Sequence, residues 1–322
     1  MLDYSRAGLV RLFYPKLSIR NHNMNGDFYG LPTKVLAKDH LRLEYLAEAG
    51  PRIVRLSLAG SEENLLAEVP NFTIATPLGD YHLYGGHRLW HSPEAKPRSY
   101  IPDDNGLIAR DIPDGVELIQ PVEALTGIRK SMRVRLHPGQ PAVTVEHELS
   151  NEGMWPVELS PWAITQLRTG GITVLPQATE PADAEGLLPN RHFALWPYSR
   201  WGDPRLIMEE SCILIHTRPQ LPPFKIGYLN TAGWIGYWHS GTFLCKRFDP
   251  RPQEAYPDFG CNAEAYCNDQ FAELESLGPL VRLAPGESTR HIEIWEIYQD
   301  LEMPDMPVQV GQALERAIAT IR

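Results

Sequence analysis

Cysteine is scarce in this chain, and its few cysteines lie far apart. There are four in 322 residues, and no two of them form the CxxC spacing that is typical of zinc or redox sites. A chain inside the cell normally keeps such thiols reduced. We therefore expect buried free thiols at Cys212, Cys245, Cys261 and Cys267.

Long hydrophobic runs and an excess of basic residues are also missing. No stretch approaches the roughly 20 apolar residues of a membrane-spanning helix, and charged residues interrupt the N-terminal segment where a signal peptide would be apolar. The formal net charge of −10 disfavours contact with phosphate backbones and anionic lipids. These features predict a cytoplasmic protein that binds neither nucleic acid nor a membrane.

Several widespread enzyme motifs do not occur. The chain has no GxGxxG after a strand, no GxxxxGK[ST], no GxSxG and no HExxH. No motif therefore indicates dinucleotide binding, phosphoryl transfer, serine hydrolysis or zincin chemistry. Clusters of histidine and carboxylate are present instead, and these side chains suit proton transfer. We expect no cofactor.

The residues that are abundant predict a mostly β protein. Short apolar segments alternate with turn residues, and 29 prolines and 25 glycines punctuate the chain, which favours many strands over long helices. In residues 132–136, Met, Val and Leu alternate with two arginines, as in a strand with one buried face. Only residues 308–322 show a helical period, which predicts a C-terminal helix.

No linker, charge block or internal repeat divides the chain. We therefore predict a single domain over residues 1–322, built as a large antiparallel sandwich. The loop-rich region of residues 176–205 is the alternative boundary, and we interpret it as an excursion from the sheet.

The stretch GGHRLWHSPE concentrates chemically active side chains behind a double glycine. They are His87, Arg88, Trp90, His91 and Glu94. In an extended segment the two histidines point to one side and Arg88 and Trp90 to the other, although a loop after two glycines could aim all four inward. A histidine titrates near neutral pH and suits an acid or base role. Alternatively, His87 and Arg88 pair with carboxylates such as Glu94 and fix the loop.

A second stretch, FAELES, carries two carboxylates. If it is a strand, Glu273 and Glu275 lie on one face, and Ala272 and Leu274 lie on the other. Paired acids on one face are candidates for acid and base chemistry, whereas a solvated strand face is the structural alternative.

Five segments together resemble the galactose mutarotase-like superfamily, which includes the aldose 1-epimerases. In chain order they are GPRIVRLSLAGSEENLL, LYGGHRLW, VEHELSNEGMWPVELSPWAITQL, FAELESLGPLVRLAPGEST and HIEIW. The resemblance covers most of the chain through short motifs, and it is closest to the uncharacterised DUF4380 branch. It implies a supersandwich of antiparallel sheets that holds a sugar on its concave face.

The resemblance also implies catalytic roles. In aldose 1-epimerases a late glutamate takes the proton of the anomeric hydroxyl, and a histidine protonates the ring oxygen; Glu273 or Glu275 matches that glutamate. At the position of the family histidine this chain has Trp162. We therefore expect His87 or His91 to replace it, with Arg88, Trp90 and Glu94 binding the sugar.

Further polar residues could bond sugar hydroxyls, and a cation among them could hold an acidic sugar or a phosphate. These candidates are Arg168, Lys225, His239, Lys246 and Asp249. Of the eight tryptophans we expect at most two at the site, because large β cores also use this residue. The spacing of His82, His87, His91 and Glu94 matches no standard metal-ligand pattern, so we predict no metal.

The sequence thus predicts a small-molecule carbohydrate as partner, and epimerisation or mutarotation of an aldose as the activity. The alternatives are a sugar-binding protein without catalysis, which the change to Trp162 favours, and a glycosidase or polysaccharide lyase on the same fold. A retaining glycosidase needs two carboxylates on opposite sides of the sugar, which neighbours on one strand face do not provide.

Overall fold

The computed structural model describes residues 24–301, and almost all regular structure in this part is β-strand. The strands are β1 Met24–Phe28, β2 Leu31–Lys38, β3 Leu41–Leu46, β4 Arg52–Leu58, β5 Glu68–Thr76, β6 Gly79–Gly85, β7 His87–Ser92, β8 Ile108–Ile112, β9 Gly115–Ile119, β10 Ile128–Leu136, β11 Ala142–Asn151, β12 Val157–Arg168, β13 Ile172–Pro176, β14 Phe193–Leu195, β15 Leu206–Met208, β16 Cys212–His216, β17 Phe224–Tyr228, β18 Trp234–His239, β19 Thr242–Phe248, β20 Ala263–Cys267, β21 Phe271–Leu277, β22 Val281–Leu283 and β23 Ser288–Tyr298. Two single helical turns cover Arg98–Tyr100 and Pro257–Gly260. The predicted C-terminal helix over residues 308–322 lies outside the described residues.

Two large antiparallel sheets form the body of the protein. Sheet 1 has the strand order β1-β2-β3-β4-β7-β12-β21-β20-β17-β14, and β22 extends it beside β12. Sheet 2 has the order β15-β16-β13-β18-β19-β23-β11-β10-β9-β8. The predicted architecture of antiparallel sheets is confirmed. In the region 176–205, after the end of β13 at Pro176, the one strand is β14, which is an edge strand of sheet 1.

The alternation of side chains along each strand gives sheet 1 two different faces. One face packs on sheet 2 in a shared hydrophobic core. Its members include Leu89, Leu167, Ala272 and Leu274 from sheet 1, and Val143, Val145 and Trp295 from sheet 2. The opposite face, which we call the site face, is partly covered by the hairpin β5–β6, whose Tyr81 and Leu83 pack on Trp90 and Trp162.

The double glycine lies where the hairpin joins β7. Gly85 and Gly86 both have positive φ angles, of 98° and 67°. A Cβ atom on Gly86 would lie only 1.9 Å from the carbonyl oxygen of Ile53. Only glycine fits such a close backbone approach, so the pair fixes the direction in which β7 begins.

Two smaller expectations can be compared with the structure. All four cysteines are buried, and none of them forms a disulfide bond within the described residues, as predicted. Within residues 24–301, no helix has the length and apolar character needed to cross a membrane.

Candidate active site

The site face of sheet 1 gathers polar and aromatic side chains from five adjacent strands. Strand register places them in neighbouring rows: Arg88 and Trp90 on β7, Trp162, Ile164 and Gln166 on β12, Glu273 and Glu275 on β21, Glu264 and Tyr266 on β20, and Lys225 on β17. The predicted common face of Glu273 and Glu275 is confirmed, because both bond residues of β12 that share one face.

A cavity of about 290 Å³ opens above these strands. Its lining residues are Phe72, Ile74, Leu83, Arg88, Trp90, Glu94, Tyr100, Trp162, Ile164, Trp196, Tyr198, Pro223, Lys225, Tyr266, Phe271 and Glu273. Apolar and aromatic walls with a few convergent polar groups are typical of small-molecule sites, and aromatic rings are suited to pack on sugars. Three tryptophans line the cavity, one more than the sequence predicted.

Glu273 is the carboxylate that faces this cavity. Its Oε1 accepts hydrogen bonds from Arg88 Nη2 and from Gln166 Nε2, each at 3.0 Å. No hydrogen bond from the described residues reaches Oε2, which leaves that oxygen open to a ligand. Burial raises the pKa of Glu273, and the neighbouring Arg88 opposes this shift.

Glu275 lies deeper in the same row and does not line the cavity. It is completely buried, and its Oε2 accepts bonds from Trp162 Nε1 at 2.7 Å and from Lys225 Nζ at 2.9 Å. Glu264 flanks the same ammonium, with Oε2 at 2.7 Å from Nζ. Burial raises the pKa of Glu264 well above its ordinary value.

Lys225 is therefore held between two carboxylates, and it is also held between two aromatic rings. Its Nζ lies 4.7 Å from the ring centroid of Trp162 and 4.5 Å from that of Trp196. Burial alone would lower the pKa of Lys225, but Glu264 and Glu275 raise it well above its ordinary value. The side chain is a fixed ammonium at neutral pH.

Arg88 and Glu94 complete the polar part of the cavity. The Arg88 guanidinium lies 4.5 Å from the ring centroid of Trp90, and its Nε and Nη1 are buried without a hydrogen-bond partner among the described residues. Glu94 is exposed, and Tyr100 donates its hydroxyl proton to Oε1 of Glu94. Burial and this bond raise the pKa of Tyr100.

The prediction that His87 or His91 acts beside the glutamates is wrong in this structure. The segment is a regular strand, so both histidines point toward sheet 2 while Arg88 and Trp90 point into the cavity. His87 bonds Thr165 Oγ1 at 2.9 Å and His147 Nε2 at 2.7 Å. Burial lowers the pKa of His87 well below its ordinary value.

His91 shares this orientation. Its Nε2 lies 3.5 Å from Oε2 of Glu123, whose Oε1 lies 2.5 Å from Lys130 Nζ. Burial lowers the pKa of His91. The alternative in which His87 and Arg88 pair with carboxylates applies to Arg88 alone, and its partner is Glu273 rather than Glu94.

The predicted sugar-binding residues separate into two groups. Arg88, Trp90 and Glu94 line the cavity, as does Lys225. The other polar candidates lie elsewhere: Arg168 pairs with Glu63 at the surface, Lys246 is buried between the sheets 2.8 Å from Glu293, Asp249 pairs with Arg251, and His239 does not line the cavity.

One group of side chains within residues 24–301 has the composition of a metal site. Ligand atoms of His87, His147 and Glu293 lie within 4.8 Å of one another between the sheets. The two imidazoles already share a hydrogen bond, and Glu293 is bound by Lys246 Nζ and by Trp295 Nε1 at 2.8 Å each. These contacts describe a satisfied hydrogen-bond network that links the two sheets.

Sequence reasoning missed several members of the site. Gln166, Glu264 and Tyr100 were not selected, Trp196 was considered only as one of several tryptophans, and Trp162 was treated only as a replacement for histidine. Alternation within SPWAITQL could have placed Trp162 and Gln166 on one face. Glu264 and Trp196 come from segments that only the strand order brings to the cavity.

No protein-family model matches the chain, and no curated protein sequence matches it. Solved structures do match in three dimensions. A "putative aldose 1-epimerase" of Klebsiella pneumoniae has a TM-score of 0.59 at 11% identity, and the match covers 93% of this chain and 86% of that one. A galactose mutarotase-like protein of Lactobacillus casei has a TM-score of 0.52 at 10% identity, over 83% of this chain and 100% of that one.

A third match differs in length. A TPR-domain containing protein of Parabacteroides distasonis has a TM-score of 0.59 at 14% identity; the match covers 86% of this chain but only 50% of the other. Identities this low indicate shared fold and not shared activity. The fold is that of galactose mutarotase-like proteins, as the sequence motifs predicted.

Proposed function

We propose that the cavity on the site face binds an aldose and that Glu273 catalyses interconversion of its anomers. The proposal is supported by the hydrogen bonds and the exposure of the Glu273 carboxylate. One carboxylate oxygen is fixed by Arg88 and Gln166, while the other is open to an aromatic-lined cavity. A base that is held rigidly by one oxygen presents the other oxygen in a defined direction.

Proton transfer requires two groups. In the proposed reaction, Oε2 of Glu273 accepts the proton of the anomeric hydroxyl, the bond between C1 and the ring oxygen breaks, and C1 becomes an aldehyde. The Lys225 ammonium donates a hydrogen bond to the ring oxygen and stabilises the negative charge that develops there, and the proton held by Glu273 reaches this oxygen through water. After rotation about the C1–C2 bond, ring closure on the other face reverses both transfers. The raised pKa of Glu273 brings the base closer to neutral pH, where proton transfer is most effective.

Strand geometry supports Lys225 as the second group. Lys225 pairs in register with Tyr266, and Tyr266 pairs with Glu273. Two strand spacings, about 10 Å, therefore separate the backbones of Lys225 and Glu273. Tyr266 lies on the intervening strand, and all three side chains line the cavity. An ammonium has three donors, and the two carboxylates engage two of them.

The test is the rate of anomer exchange, measured by NMR for a panel of hexoses. Wild-type protein should exceed the buffer rate, and Glu273→Gln should reduce the catalysed rate by about a hundredfold while it retains binding. Glu146→Gln, on sheet 2 outside the cavity, is the matched control and should keep the rate. Tight binding without exchange would reject catalysis and leave the sugar-binding alternative. Placement in the DUF4380 branch stays a prediction from the sequence motifs.

A further inference from the structure

The two cations of the cavity are already neutralised by protein carboxylates. Among the described lining residues, Arg88 and Lys225 are the only cations. Arg88 pairs with Glu273 at 3.0 Å, and Lys225 pairs with Glu264 at 2.7 Å and Glu275 at 2.9 Å. A ligand with its own negative charge would meet free N–H donors on Arg88 but no excess of positive charge.

The carboxylates outnumber the cations. Glu273 and Glu94 line the cavity, and Glu275 and Glu264 lie directly behind Lys225. Lys96 also lies at the cavity, with its Nζ 5.9 Å from the ring centroid of Tyr100, so these four acidic side chains compare with three cations. The field at the open oxygens of Glu273 and Glu94 therefore attracts positive charge.

The aromatic walls point to the same type of ligand. The resident cations occupy the faces of Trp90, Trp162 and Trp196. Within the described part of the chain, the lining rings with no cation over them are those of Phe72, Tyr198, Tyr266 and Phe271. The face of such a ring attracts an ammonium group, and carboxylates beside it strengthen the attraction.

We infer that the preferred substrate is an amino sugar, an aldose that carries an ammonium group, rather than a neutral hexose, a uronic acid or a sugar phosphate. Glu94 at the exposed mouth accepts a charge-assisted hydrogen bond from the ammonium, while the anomeric hydroxyl is directed to Glu273. This inference rests on the proposed function of the cavity. To that function it adds a positive charge on the substrate.

The experiment compares five ligands of one hexose series by calorimetric titration at low salt. They are the 2-amino-2-deoxyhexose, its N-acetyl derivative, the parent hexose, the uronic acid and the 6-phosphate. The amino sugar should bind about tenfold more tightly than the parent hexose, because a hydrogen bond to a charged group contributes about that factor. N-acetylation and high salt should both remove most of the difference.

Glu94→Gln tests the assigned carboxylate. The residue is exposed, so the protein should fold, and circular dichroism verifies this. The ratio of amino sugar to hexose affinity should fall toward one in this variant and stay unchanged in Glu62→Gln, an exposed control outside the cavity. Equal or tighter binding of the uronic acid or the phosphate, or a ratio near one in the wild type, overturns the inference.

The two proposals fail in different ways. If hexose anomers exchange faster than in buffer but the amino sugar has no advantage, the inference about charge is wrong and the proposed function stands. If the amino sugar binds preferentially but its anomers exchange at the buffer rate, the charge selectivity is supported and the catalytic proposal is wrong. If none of the five ligands binds, both proposals are wrong.

Discussion

Replacement of Lys225 by methionine should destabilise the protein strongly at neutral pH and less in mild acid. The ammonium is buried, and it is the cation that pairs with the buried carboxylates of Glu264 and Glu275. Methionine has a similar length but no charge, so both carboxylates lose their partner. Removal of one member of a buried ion pair typically costs about 3–5 kcal/mol, and we expect a loss of this size at pH 7.

The dependence on pH follows from the protonation of the remaining carboxylates. Burial already raises the folded-state pKa of Glu264 above its ordinary value of 4.5, and loss of Lys225 raises it further. The folded variant then binds a proton that the unfolded chain does not bind, so its stability decreases as pH rises through the folded pKa. The stability gap between wild type and Lys225→Met should therefore narrow between pH 7 and pH 5.

Urea unfolding followed by tryptophan fluorescence measures both effects, since Trp162 and Trp196 lie against the ammonium. Lys38→Met is the control, because Lys38 pairs with the exposed Asp114 near the surface and should contribute at most about 1 kcal/mol. A loss below about 1 kcal/mol for Lys225→Met, or a gap that does not change with pH, would refute the assignment of Lys225 as the counter-ion of this cluster.

Two further predictions concern the stability of the folded protein. Gly86→Ala should lower the free energy of unfolding by several kcal/mol or prevent folding, because the new Cβ would lie 1.9 Å from the Ile53 oxygen at a φ of 67°. The control is Gly60→Ala, where φ is 84° and no atom lies within 4 Å of the new Cβ. It should lower the free energy of unfolding by about 1–2 kcal/mol in the same urea assay. His291 on β23 connects the sheets, because its Nε2 lies 2.6 Å from Ser276 Oγ on β21. Burial lowers its folded-state pKa from 6.5 to about 3, so the stability present above pH 6.5 decreases as pH falls. His291→Gln should show a smaller loss of urea midpoint between pH 7 and pH 5 than wild type, and equal losses would contradict this reasoning.

The sequence predicts the direction of a side chain where the alternation within a single strand is enough to determine it. Alternation along FAELES correctly placed Glu273 and Glu275 on one face, and alternation along HRLWH separated Arg88 and Trp90 from the two histidines. The sequence also allowed a loop after Gly85 and Gly86 that would turn all four inward. The structure has a strand instead, because every residue of β7 pairs with a residue of β12.

The remaining site residues depend on contacts that a single strand does not reveal. Glu264 and Lys225 lie 39 positions apart in the sequence, yet the pairing of β17 with β20 brings Glu264 Oε2 to 2.7 Å from Lys225 Nζ. Lys246 was an equal candidate from its charge and its predicted strand, although it faces the core between the sheets and pairs with Glu293. Which lysine reaches the cavity is decided by sheet topology, which the sequence pattern does not encode locally.

A crystal structure of the protein with a bound aldose tests the central claim most directly. Our account predicts that the sugar occupies the cavity between Glu273 and Lys225, with its anomeric oxygen about 2.6–3.2 Å from Oε2 of Glu273 and its ring oxygen toward Lys225 Nζ. A sugar bound outside this cavity, or one whose anomeric carbon points away from Glu273, would contradict the account.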